Sequence, residues 1–129
     1  PTVIVEGAGF VGGNLARLLH EGDCRVVGLS DKDGGLYNPA GLDIPAILAQ
    51  RTPEGGLGEV KGAFDRIAHE QLIRQPSEVY ATCATANSIT LRNCGAINTK
   101  LILEGQHGAV SAPAYRTLRE RGIKVVPDI

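Results

Sequence analysis

The 129 residues suit one domain, large enough to bury about two-thirds of its unfolded surface. A net charge of −1 supplies no basic field, so no nucleic-acid partner is expected, and no apolar run approaches the ~20 residues of a membrane helix, so no membrane is expected either. The 3 cysteines, Cys24, Cys83 and Cys94, are odd in number and lack CxxC spacing, and no signal-peptide pattern opens the chain. They read as reduced thiols of a cytoplasmic protein, with neither a disulfide framework nor a metal site.

Val3-Ile4-Val5 predicts a first strand, and Gly7-Ala8-Gly9-Phe10-Val11-Gly12 follows it directly. A helix begins near Phe10, with Val11, Leu15, Leu18 and Leu19 as its apolar stripe and Gly22 placed for a left-handed cap. Val26-Val27-Gly28-Leu29 predicts a second strand that runs into Ser30-Asp31. Strand, glycine turn, helix, strand and acid together form the context in which G-x-G-x-x-G signifies a dinucleotide site. Each part has a physical task there. Gly7 permits the tight turn, Gly9 lets a pyrophosphate approach the backbone, and Gly12 lets helix and sheet pack closely. The helix then aims its unpaired N–H groups and positive dipole end at the phosphates. Asp31 stands 19 residues beyond Gly12, about where a carboxylate accepts from the adenosine ribose. The plainer reading is a glycine-rich turn in an ordinary βαβ unit, with Asp31 solvated.

Residues 33–41 are rich in turn formers around a short Leu36-Tyr37 strand. Asp43 can cap a second helix with Pro45 in its first turn and Ile44, Ile47 and Leu48 inward, ended by Pro53. Residues 54–63 read as loop with one short strand at Glu59-Val60-Lys61. A helix over 68–74 and a strand over 78–81 follow, then a helix from Thr90 that includes Asn93, Cys94 and Ala96. A strand over 100–104, a Ser111-capped helix with Pro113 in its first turn and Gly122 at its end, and a strand over 123–126 complete the chain. Such alternation predicts an α/β, Rossmann-like, doubly wound and mostly parallel sheet with helices on both faces, one dinucleotide-binding domain over residues 1–129.

These residues resemble the cofactor-binding, C-terminal domain of the glutamate, leucine, phenylalanine and valine dehydrogenase family. Glu6-Gly7-Ala8-Gly9-Phe10-Val11-Gly12 is similar to the family's QGFGNVG. The run Val27-Gly28-Leu29-Ser30-Asp31, Gly34-Gly35-Leu36-Tyr37-Asn38-Pro39 and Gly41-Leu42-Asp43 is similar to AVSD…GGIYNPDGLD, a far more specific pattern than any glycine motif. Residues 84–90 resemble the ALENQIT of the family's AALENQIT, residues 103–108 resemble VEGANG, and residues 121–129 resemble RGVLVVPDI.

The resemblance implies an NAD site, with NADP left open by Lys32 beside Asp31. It implies that Gly7, Gly9, Phe10, Val11, Gly12, Ser30 and Asp31 face the adenosine and pyrophosphate half. Cys83, Ala84 and Asn87 would line the nicotinamide ribose, and His107 stands where the family's EGANG turn presents Asn to the nicotinamide. Two further departures are Thr82 for the family's proline and Ala86 for its Glu. It also implies oxidative deamination of an amino acid, with the catalytic lysines and aspartate on a separate substrate domain absent from this chain.

The residues themselves agree that no catalytic group is evident. Lys32, Lys61, Lys100 and Lys124 read as surface residues, as do Arg17, Arg25 and the arginines near the last helix. His20 reads as a partner of a helix end, His69 as solvated, and Glu6 as a strand-end residue without a catalytic role. Cys83 can equally be a small buried apolar residue, and Asn87 can bond its own turn. Three functions stay open: half of an amino-acid dehydrogenase, a non-catalytic NAD(H)-sensing or interaction domain, and a Rossmann scaffold without ligand.

Overall fold

The computed structural model describes residues 1–52 and 56–127. Among these, strand β1 (Thr2–Glu6) leads through helix α1 (Phe10–Glu21) to β2 (Arg25–Asp31), β3 (Gly34–Tyr37) and α2 (Ile44–Gln50). Then come β4 (Asp65–Ile67), α3 (His69–Leu72), β5 (Val79–Thr82), β6 (Leu101–Glu104), α4 (Ala112–Glu120) and β7 (Lys124–Val126). The strands form one sheet in the order β4-β3-β2-β1-β5-β6-β7. The run from β2 to β7 is parallel, and β3 and β4 add an antiparallel edge.

Strand alternation builds two cores. Val3 and Val5 of β1 face one side, where they join Ala16 of α1 and Ile44 and Ile47 of α2. Ile4 faces the other, with Leu72 of α3, Tyr80, Ile102 and Leu118 of α4. Helices therefore cover both faces, as a parallel sheet requires. Burying each such Ile or Leu is worth about 2 kcal/mol, which is why β1, apolar on both faces, sits in the centre.

Several local expectations change. The α1 stripe is shifted: Val11 and Leu18 are exposed, while Gly12, Gly13 and Ala16 are buried and Leu15 and Leu19 pack against the core. Small residues let the helix lie close to the sheet, so the apolar side chains that fit are those on its flank. The left-handed position after α1 is Asp23 (φ 64), not Gly22 (φ −87). Residues 59–61 form no strand; the strand lies at β4, where Leu36 pairs with Arg66 and Tyr37 with Asp65.

The expected helix from Thr90 is a series of turns. Asn93 accepts from the Thr90 N–H through Oδ1, and the Arg121 guanidinium donates to the Cys94 and Ile97 carbonyls at 2.6 and 2.9 Å. Those side-chain bonds take up groups that a helical ladder would use. Arg121, read as a solvated residue, thus ties α4 to this segment. Asp43 does cap α2, accepting from the Ala46 N–H at 3.3 Å. Pro53, Glu54, Asp128 and Ile129 lie outside the described residues.

Candidate functional site

Strand order decides where a ligand can sit. From β1 the chain turns to β2 on one side, and β5 takes up the opposite side, so the sheet's switch point lies between β1 and β5. In open α/β sheets, the crevice at the carboxyl ends beside that point is where ligands bind.

Two turns meet there. Gly7 leaves β1 with φ 101, a conformation L side chains rarely adopt. A Cβ on Gly7 would lie 2.9 Å from the backbone N and Cα of Ala84, so the turns after β1 and β5 touch main chain to main chain. The Cys83 N–H donates to the Glu6 carbonyl at 2.8 Å, and the Gly7 N–H donates to the Ser30 carbonyl at 3.0 Å, which fixes the turn to both neighbouring strands. Ser30 itself is buried. Gly12 packs under the same turn, where a Cβ would stand 1.6 Å from the Gly7 oxygen. Gly9 is the opposite case: a Cβ there would meet nothing within 4 Å. Open space therefore lies above the residue that caps α1 at its N-terminus, and the next two side chains, Phe10 and Val11, are exposed.

The turn after β6 joins this edge. Asn87 takes the left-handed region (φ 58), and its N–H donates to the Gly108 carbonyl at 2.8 Å. Ile89 likewise donates to Ala109, so the β5 and β6 turns form one unit carrying exposed Ala84, Asn87 and His107. Glu104, buried at the end of β6, accepts from the Val110 N–H at 2.9 Å and from the Tyr115 hydroxyl, which anchors this unit to α4.

Asp31 is placed at the carboxyl end of β2 with both oxygens engaged. Oδ1 accepts from the Asp33 and Gly34 N–H groups at 2.8 and 3.1 Å, and Oδ2 from the Leu57 N–H at 2.7 Å. A carboxylate offers about four lone-pair positions, so one remains for a hydroxyl. A cavity of about 280 Å³ opens beside it, among Gly34, Leu57, Gly58 and Arg66. A larger cavity, about 440 Å³, lies at the opposite edge near Thr2, Val27, Ser77, Glu78 and Lys100. That is the amino edge of the parallel strands, away from every βα turn, so its size does not mark the site.

Cys83 is half-buried between Gly12 and Gly105, and its thiol is pushed up to about 11, first by burial and then by the Glu6 carboxylate. It remains protonated at neutral pH and is not a nucleophile there.

Other residues of this edge had no signal in the sequence. Glu6 is buried, accepts from the Tyr80 hydroxyl through Oε2 at 2.8 Å, and has His69 Nε2 at 3.2 Å from the same oxygen. His69, read as solvated, is thus partly drawn inward. Burial and the Glu6 charge hold the Tyr80 hydroxyl well above its usual range. Arg51 reaches from the end of α2 to donate to the Ala8 carbonyl at 3.0 Å. A second glycine inside a helix costs about 1 kcal/mol against alanine, so Gly13 was the one available hint that something occupies its side. The four lysines are exposed as expected. Among the described residues no metal-binding group of side chains occurs, and no helix is long and apolar enough to cross a membrane.

The comparisons with known proteins agree with this architecture. The catabolic NAD-specific glutamate dehydrogenase RocG of Bacillus subtilis is 38% identical over 128 residues, covering 98% of this chain and 30% of that protein. An NAD-specific glutamate dehydrogenase of Staphylococcus aureus is 34% identical over 128 residues, with 30% of it covered. A hetero-hexameric glutamate dehydrogenase from Thermus thermophilus superimposes with a TM-score of 0.88 at 26% identity, over 98% of this chain and 29% of that one. The chain thus spans about 30% of the length of the curated relatives it matches. The family model described as Glutamate/Leucine/Phenylalanine/Valine dehydrogenase matches residues 1–129, and the chain belongs to that family.

Proposed function

We propose that this chain is the cofactor-binding domain of an amino-acid dehydrogenase and holds NAD across the carboxyl ends of β2, β1, β5 and β6. One observation carries the reading: Gly7, Gly9 and Gly12 build a turn at the switch point with open space only over Gly9. The residues fit the cofactor. The pyrophosphate lies over the first turn of α1, where N–H groups are unpaired and no acidic residue competes. Asp31 takes the adenosine ribose with its remaining lone pair. Ala84 and Asn87 border the nicotinamide ribose, with His107 at the nicotinamide end.

NAD, when bound, supplies the hydride acceptor. The chain's part is to bind and orient it: the β5 and β6 turns form one wall of a cleft, and the Gly7–Ala84 contact fixes the distance between the two halves of the site. Hydride transfer needs the substrate carbon about 3–3.5 Å from the nicotinamide, which requires a second wall. We assign that wall to a separate substrate domain, and the names of the relatives favour glutamate as the amino acid.

Calorimetric titration with NADH tests this. Gly9→Val fits the unliganded turn but places a branched side chain where the pyrophosphate approaches. Wild type should bind and the variant should bind at least about tenfold more weakly. Equal affinity would refute the assignment.

A further inference from the structure

Helix α1 carries glycine at both 12 and 13, and only the first is explained by the turn above it. A Cβ on Gly13 would stand 2.1 Å from Arg51 Nη1 and 3.2 Å from Arg51 Cζ, against 3.4 Å from the Ala8 oxygen. The missing side chain leaves a notch on the buried side of α1, and the guanidinium of Arg51 fills it. From there Nη1 donates to the carbonyl of Ala8, the residue between Gly7 and Gly9. Arg51 is the residue that ends α2, so the notch ties that end to the glycine turn, joining residues 43 apart in sequence, Ala8 and Arg51.

We propose that Arg51, seated by Gly13, is a positioning residue for the dinucleotide site. It acts through the turn. Holding the Ala8 carbonyl toward α2 fixes the Ala8–Gly9 peptide plane, which leads into α1, so the N–H groups that open the helix stay aimed at the open space over Gly9. It also brings a permanent positive charge beside a helix N-terminus that has no acid in its first turn, and both effects favour an anionic pyrophosphate. The inference rests on the proposed NAD site and goes beyond it, since neither residue touches the space over Gly9 in this arrangement.

The notch gives an unusual test, because binding should fall while stability does not. In Gly13→Ala the new Cβ meets the far end of a flexible side chain, so Arg51 swings out and the fold survives. Alanine is also the better helix residue, so thermal stability should be unchanged or higher. NADH affinity, read by calorimetry on the purified chain, should nevertheless fall about tenfold, the scale of one charge-assisted hydrogen bond. Arg51→Met should fall by a similar factor, and Arg51→Lys, which keeps the charge and a donor, should recover part of it. The double variant Gly13→Ala/Arg51→Met should be no weaker than Arg51→Met alone, because the notch matters only when the guanidinium needs it. Wild-type affinity in Gly13→Ala and Arg51→Met would overturn the proposal, as would a full additional Gly13→Ala loss on top of Arg51→Met. A wild type that does not bind NADH would overturn the proposed function as well, which separates the two failures.

Discussion

Gly12 lies so close beneath Gly7 that a Cβ on it would stand 1.6 Å from the Gly7 oxygen and 2.8 Å from its carbonyl carbon. The obstacle is main chain, so no rotamer relieves it. Gly12→Ala should therefore destabilise the chain by about 3 kcal/mol, at the upper end of overpacking costs. Gly9→Ala, with nothing within 4 Å, should leave stability within about 0.5 kcal/mol. Urea midpoints for the two variants check this, and a Gly12→Ala chain as stable as Gly9→Ala would contradict the packing described.

Alkaline pH should weaken the fold through the groups around Glu6. Burial first, and then the Glu6 carboxylate, push the Cys83 thiol from 9.0 to about 11, and the same causes raise the Tyr80 hydroxyl. Both hold their protons more tightly folded than unfolded. The Cys83 contribution is thus fully present below about pH 9 and is lost as pH rises through about 11, and Tyr80 acts in the same direction. The urea midpoint should hold to about pH 9 and then decline, and Cys83→Ala should decline less steeply. Identical slopes in the two proteins would remove Cys83 from this account.

Much of this was legible in the sequence because it is local. The glycine turn, its flanking strands and the Asp43 cap are set by neighbours in the chain, and each stands where its residues put it. What escaped depends on partners far away. β4 carries little apolar signal of its own and exists by pairing with β3. The turns after Thr90 keep the composition of a helix, but Arg121, 27 residues on from Cys94, takes their carbonyls. Glu6 reads as a polar strand end until Tyr80 and His69 are seen to converge on one of its oxygens. The site followed the same division: its glycines are a local pattern, whereas Arg51 and Gly13 meet only in the folded chain.

Asp31 holds three backbone donors and, in the proposed site, faces the adenosine ribose, and its replacement should affect both. Its three backbone donors bind residues 33, 34 and 57 to the end of β2. Asp31→Asn leaves one acceptor oxygen and turns an amide toward donors, so stability should drop by about 2 kcal/mol. In the proposed site the carboxylate would also accept from a ribose hydroxyl and repel a 2′-phosphate, so wild type should prefer NADH to NADPH and the variant should narrow that difference. Thermal melts and paired titrations read the two effects separately. A wild type that prefers NADPH would contradict the role given to Asp31 in the site.

The central claim is the location of the cofactor at the carboxyl edge, and amide chemical shifts of a ¹⁵N-labelled chain titrated with NADH test it most directly. The largest shifts should fall on Gly9, Phe10, Val11 and Gly12, with a second group at Ala84 and Asn87. Thr2, Glu78 and Lys100, at the amino-edge cavity, should move little. Shifts centred on those three residues, or no saturable shifts at all, would contradict the account.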